Sequence, residues 1–145
     1  MPTRVFISHV VRAVCLTGVL LAGCKQRNYS GPHRFALSGK VTFEGQPIDF
    51  GSISFLPSGE GTQRVSGGLI ENGAYVVPEE QGANAGKHRV EIRWRKMTGK
   101  KKRDPDSGEM YDERVEGLPP RFHSDSELTA EIAPKQTFDF DLKAK

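Results

Sequence analysis

Thiols and imidazoles are the groups best suited to nucleophilic attack, proton transfer or soft-metal binding near neutral pH, and this chain has two cysteines and four histidines. Cys15 and Cys24 sit near the start, and His33, His88 and His123 are spread along the rest. There is no His-Glu-x-x-His, so a metallopeptidase centre of that kind is excluded. The three histidines read as polar surface or strand-edge residues. His123-Ser124-Asp125 holds the residue types of a hydrolytic triad, but neighbours on an extended chain point to opposite faces and cannot make the required chain of hydrogen bonds. Asp104-Pro105-Asp106-Ser107-Gly108-Glu109 invites a calcium reading. An EF-hand counted from Asp104 needs glycine at its sixth position and glutamate at its twelfth, where Glu109 and Val115 stand. A solvated acidic loop is the preferred reading, and a looser surface calcium site is the alternative. No catalytic or metal-ligating set emerges, so the expectation is a non-enzyme without a cofactor.

Cys24 offers a different chemistry. Residues 13–22 form an apolar run, preceded by Arg4 and Arg12 without an acid, which is the layout of a secretory leader and too short for a membrane span. Leu21-Ala22-Gly23-Cys24 closes that run and resembles the bacterial lipobox, with small residues before the cysteine. An ordinary secretory signal with a chance cysteine is the alternative. The resemblance implies cleavage before Cys24, whose thiol carries diacylglycerol, with or without an N-acyl chain. Each buried CH₂ contributes about 0.8 kcal/mol, and two or more chains hold where one does not.

The expected organisation is a removed signal peptide at 1–23, a lipidated flexible tether at 24–35, and one domain at 36–145 with a charged insert at 96–117. Lys25 follows the acylated position where aspartate signals inner-membrane retention in some bacteria, which favours the outer membrane. Losing Arg4 and Arg12 reduces the 21 basic residues to 19 against 18 acidic ones, so the net charge falls from +3 to +1. That leaves no global field to recruit nucleic acid. With Cys15 removed and Cys24 acylated, no thiol remains for a disulfide, and about 120 residues must hold together by their core.

From Phe35 onward the pattern is period-2 alternation. Leu37, Val41 and Phe43 share a face, then Ile53 and Phe55, Val90, Ile92 and Trp94, Leu128, Ala130 and Ile132, and finally Phe138, Phe140 and Leu142. Asn72-Gly73 is a strong hairpin signal between a weaker strand at 64–70 and a return strand at 74–77. Helical periodicity is lacking, with at most one turn allowed near 112–116. About seven short strands imply an all-β, antiparallel two-sheet sandwich. Its expected core is Val41, Phe43, Ile53, Phe55, Val90, Ile92, Trp94, Leu128, Ile132, Phe138, Phe140 and Leu142.

Several stretches resemble carboxypeptidase-regulatory-like domains. They are Ser38-Gly39-Lys40-Val41-Thr42-Phe43-Glu44-Gly45-Gln46-Pro47-Ile48 with Gly51-Ser52-Ile53-Ser54-Phe55, then Glu71-Asn72-Gly73-Ala74-Tyr75, and Ala85-Gly86-Lys87-His88-Arg89-Val90. Ala85 and His88 stand where that pattern has proline and tyrosine. Pro119-Pro120-Arg121-Phe122-His123 and Ser126-x-Leu128-Thr129 are similar to the ending of small bacterial lipoproteins built on the module. The resemblance implies a transthyretin-like sandwich and a non-catalytic role.

The insert opens with Lys100-Lys101-Lys102-Arg103 and turns acidic through Asp104, Asp106, Glu109, Asp112 and Glu113. A long hairpin whose halves neutralise one another is the preferred reading, and contact with anionic headgroups or an acidic polymer is the alternative. Arg89, Glu91, Arg93 and Arg95 form one charged strand face. The expected interaction surface is therefore Arg89, Arg93, Arg95, Lys100, Lys101, Lys102 and Arg103. The expected function is that of a lipid-anchored envelope protein acting as a structural or protein-interaction module. A carbohydrate or cell-wall polymer module is the alternative, with Tyr29, Tyr75 and Tyr111 as the exposed aromatics, and a hydrolase is a distant third.

Overall fold

The computed structural model describes residues 31–59 and 64–145. The expectations for Cys15, for Leu21, Ala22, Gly23 and Cys24, for the first part of the tether and for Tyr29 lie outside the described residues. The strands in chain order are β1 (Arg34–Phe35), β2 (Leu37–Phe43), β3 (Gln46–Pro47), β4 (Phe50–Pro57), β5 (Ser66–Glu71), β6 (Ala74–Val77), β7 (Ala83–Asn84), β8 (Gly86–Arg103), β9 (Met110–Glu116), β10 (Thr129–Ile132) and β11 (Phe140–Leu142). Two single 3₁₀ turns, Glu79–Gln81 and Pro120–Phe122, complete the secondary structure.

The turn residues set the strand order locally. Asn72 and Gly73 have φ of 51° and 76°, the paired left-handed conformation of a type I′ turn, and they join β5 to β6. Glu44 and Gly45 do the same between β2 and β3. The strands form one hydrogen-bonded path, β10-β8-β4-β5-β6-β2-β11, with β3 added to β2 and β9 to β8. β1 and β7 form a separate two-stranded ladder. The joint between β5 and β6 is narrow, with only the Ile70–Tyr75 and Glu71–Ala74 pairs.

Four expectations need correction. All pairings are antiparallel except β11 with β2, which is parallel. The chain leaves β10 at one edge of the path and crosses to the other before β11, so it meets β2 running the same way. Residues 112–116 are strand, not a helical turn, because β9 ladders onto β8 from Arg95–Glu116 to Arg103–Met110. Arg34 and Phe35, expected in the tether, already pair with Asn84 and Ala83. Trp94, expected inside with Val90 and Ile92, is only half-buried at the core's margin, as are Phe43, Leu128, Phe138 and Phe140.

The inward residues meet in one core. Val41, Ile53, Phe55, Val90, Ile92, Ile132 and Leu142 are buried as expected, joined by Leu37, Ile48, Ile70, Tyr75, Val77, Ala83, Leu118, Phe122 and Ala130. A fully buried side chain of this kind contributes about 1.5–3 kcal/mol, against about 0–1 for an exposed ion pair, so the core holds the fold and the surface charges are available for other work.

The long strand β8 gives the domain an axis. It begins two residues beyond Asn84, whose side-chain amide donates to the carbonyls of Pro32 at 2.8 Å and His33 at 3.0 Å, where the chain enters the fold. Its 18 residues, at a rise of about 3.3 Å each, carry it roughly 55 Å toward the hairpin tip. The β8–β9 hairpin therefore projects away from the end where His33 and Arg34 enter the fold.

Candidate functional site

Among the described residues the three imidazoles sit in different settings. His88 is wholly buried and His123 nearly so, contrary to the surface or strand-edge positions expected for them. His88 occupies an inward register position of β8, and its Nδ1 lies 2.9 Å from the Gly86 carbonyl. His123 follows the Pro120–Phe122 turn, with Nε2 3.2 Å from the Leu118 carbonyl. Ser124 and Asp125 face solvent while the His123 ring points inward, so the three triad residue types are not brought together. His33 is exposed and stacks on Phe35, with ring centroids 4.8 Å apart.

The acidic loop is closed on itself. The Asp104 carboxylate accepts from the backbone amides of Asp106 at 3.0 Å and Ser107 at 2.8 Å, and from the Ser107 hydroxyl at 3.1 Å. These bonds hold its carboxyl below the usual range. Among the described residues no three His, Cys, Asp or Glu side chains converge as a metal set. Tyr75, expected as an exposed aromatic, is buried and donates to the Phe138 carbonyl at 2.8 Å, while Tyr111 is exposed.

The cationic residues are divided by the pleat. Along β8, Arg93, Arg95 and Met97 share the outward face, and Trp94 and Lys96 take the other. The register sets Glu116 opposite Arg95 and Arg114 opposite Met97, so both join the outward face. Ser52 of β4, opposite Arg93, completes it. Together Ser52, Arg93, Arg95, Arg114, Val115 and Glu116 line a groove of about 290 Å³.

Each member of this groove is held differently. Glu116 places Oε1 under two amides, those of Trp94 at 3.0 Å and Leu118 at 3.1 Å, and turns Oε2 toward Arg93 at 3.7 Å. Arg114 donates to the Arg95 carbonyl at 3.1 Å and lies over the Phe50 ring at 4.8 Å. Arg95 has no carboxylate within ion-pair distance among the described residues. Three guanidiniums thus line the groove beside one carboxylate, with Asp49 beneath Arg114. At the base, the Trp94 indole donates to Asp49 at 2.5 Å, which holds that carboxyl below its usual value. Slight burial opposes this shift, and the Phe50 amide and the Arg114 charge assist it.

The remaining cations of the expected surface are neutralised or displaced. Arg89 pairs with Glu91 at 2.7 Å on its own strand. Lys101 pairs with Asp112 at 3.4 Å, and Lys102 with Glu113 at 2.5 Å, an arrangement that raises the lysine and lowers the glutamate. Arg103 donates to the Gly108 carbonyl at 3.0 Å and closes the tip. Lys100 lies in the irregularity between Met97 and Lys101, where the β8–β9 register shifts. The neutralising hairpin is thus the form the insert takes, while Arg93 and Arg95 gather at its base with Arg114, which sequence reasoning missed. Arg114 is a lone cation in an acidic stretch, and only the register reveals its neighbours.

Compared with known proteins, the chain matches no family model, no curated protein and no solved structure.

Proposed function

We propose that this chain is a non-enzymatic, lipid-anchored protein of the bacterial envelope, carried on the outer membrane, whose domain serves as a structural or protein-interaction module. We read the domain as a transthyretin-like sandwich of the carboxypeptidase-regulatory kind. A fold at the narrow β5–β6 joint would divide the strand path into β10-β8-β4-β5 and β6-β2-β11, the two layers such a sandwich needs, and the shortness of that joint supports the reading. The observation that carries the functional reading is the axis of the domain. The chain enters beside Asn84, and β8 starts there, carries the arginine groove at its middle and ends at the hairpin tip on the far side. A tether from Cys24 to His33 spans at most roughly 30 Å. An acylated Cys24 would hold the entering end near the bilayer and present the groove outward.

The test is fractionation of cells expressing the full chain or Cys24→Ser. The parent protein is expected with membranes and the variant in the soluble fraction. A Cys24→Ser protein that stays with membranes would count against the anchor.

A further inference from the structure

We propose that the outward face at the base of the β8–β9 hairpin is a docking site for an acidic segment of a protein partner, with Arg95 and Arg114 as its principal contacts. Its placement away from the bilayer rests on the anchoring proposed above, whereas the docking chemistry does not.

Charge is the first argument. Arg93, Arg95 and Arg114 line one groove with Glu116 as the only carboxylate, and that carboxylate already serves the Trp94 and Leu118 amides through Oε1. With Asp49 acting on Arg114 from the base, one positive charge is left in excess in a concave space, and Arg95 has no carboxylate partner among the described residues, which complements carboxylates on a partner. The guanidinium fork favours bidentate carboxylate contact over a diffuse attraction.

The second argument is pre-organisation. Arg114 is held by the Arg95 carbonyl and the Phe50 ring, so docking costs it little side-chain freedom. The backbone beneath is fixed by the β8–β9 ladder and by Gly117, whose amide donates to the Trp94 carbonyl at 2.9 Å.

Composition argues for a protein. Met97 stands exposed on the same face, and arginine beside methionine is the enrichment found in protein interfaces. Carbohydrate sites present aromatic platforms, but the exposed Tyr111 pairs in register with Lys102 far out on the hairpin, and Trp94 lies half-buried on the inner face. An anionic bilayer would draw equally on cations of both hairpin faces, including Lys96 and Lys102.

The experiment uses the full lipidated chain in non-ionic detergent micelles, with fluorescein-labelled poly-L-glutamate as the probe read by fluorescence anisotropy. Polygalacturonate is the carbohydrate comparison, with its carboxylates on sugars. Arg95→Glu is expected to weaken polyglutamate binding roughly tenfold, and Lys96→Glu with Lys102→Glu to leave it within a factor of about two. Arg95→Gln should give an intermediate loss. Circular dichroism and Trp94 emission check that each variant is folded. Equal losses from both hairpin faces, equal affinity for polygalacturonate, or no polyglutamate binding would each overturn the proposal. Cys24→Ser protein should bind the probe as the parent does, so docking and anchoring fail separately.

Discussion

Gly117→Ala tests how the hairpin is seated on the domain. A Cβ at position 117 would lie 2.7 Å from Cε3 and 2.8 Å from Cδ2 of Trp94, and 3.0 Å from Cβ of Lys96. The indole cannot yield cheaply. Its Nε1 is bonded to Asp49 at 2.5 Å, its ring centroid lies 6.0 Å from that of Phe43, and the Lys96 ammonium sits over the ring at 5.0 Å. Overpacking of this kind costs about 1–3 kcal/mol. For a domain of this size that corresponds to a fall in Tm of about 4 °C per kcal/mol. Trp94 is the only tryptophan, so its emission reports the site directly. Thermal unfolding followed at that emission should show the lower Tm, with a shifted native spectrum as the ring leaves Asp49. In a Trp94→Phe background the smaller ring leaves room, and the same substitution, followed there by circular dichroism, should cost markedly less. Equal costs in the two backgrounds, or an unchanged Tm, would refute the steric reasoning.

Three further outcomes follow from particular contacts. Asp49 has a lowered pKa, so its contribution to stability is complete above the usual carboxylate range and is lost as pH falls through the folded value. The Tm difference between the parent and Asp49→Ala should be largest at about pH 6 and shrink as pH falls below the usual carboxylate range, and a difference that is the same in acid would contradict this. Tyr75 has its pKa raised, first by burial and then by the Asp139 charge, so the folded state keeps its proton while the unfolded chain loses it. Stability should therefore fall as pH rises through about 10, and Tyr75→Phe should flatten that limb of a denaturation-against-pH curve. Ser126 is buried, donates to the Val90 carbonyl at 2.5 Å and accepts from the Leu128 amide at 3.3 Å. Ser126→Ala should cost about 1–3 kcal/mol in urea unfolding, and an unmoved midpoint would show that this bond is not needed.

The strands that bury one face were legible in the sequence because period-2 alternation is the signal such burial leaves. β4 and the first half of β8 are the clearest cases, with Ile53 and Phe55 opposite Ile92 and Val90. β9 left no such signal. Tyr111, Asp112, Glu113 and Arg114 are polar or amphipathic on both faces, and the strand exists through its ladder with β8. Ile48 and Leu118 are buried from loops and Phe122 from a single 3₁₀ turn, where an isolated apolar residue has no periodic neighbour to mark it. Tyr75 did carry a signal, since it lies in phase with buried Val77, two residues on. The histidines were misjudged for a related reason. His88 alternates in step with Val90 and Ile92, and that phase, not its polarity, decided its burial. Arg93 and Arg95 were recognisable as a charged face, but their meeting with Arg114 depends on a hairpin register that crosses a bulge, which spacing along the chain does not encode.

The central claim is that Cys24 anchors the domain, and the most direct measurement is mass spectrometry of the N-terminal peptide of the membrane-extracted protein. The account expects a peptide that begins at Cys24 and carries the added mass of diacylglycerol, with or without a further acyl chain. An unmodified Cys24 within a longer peptide, or a chain that begins elsewhere, would contradict it.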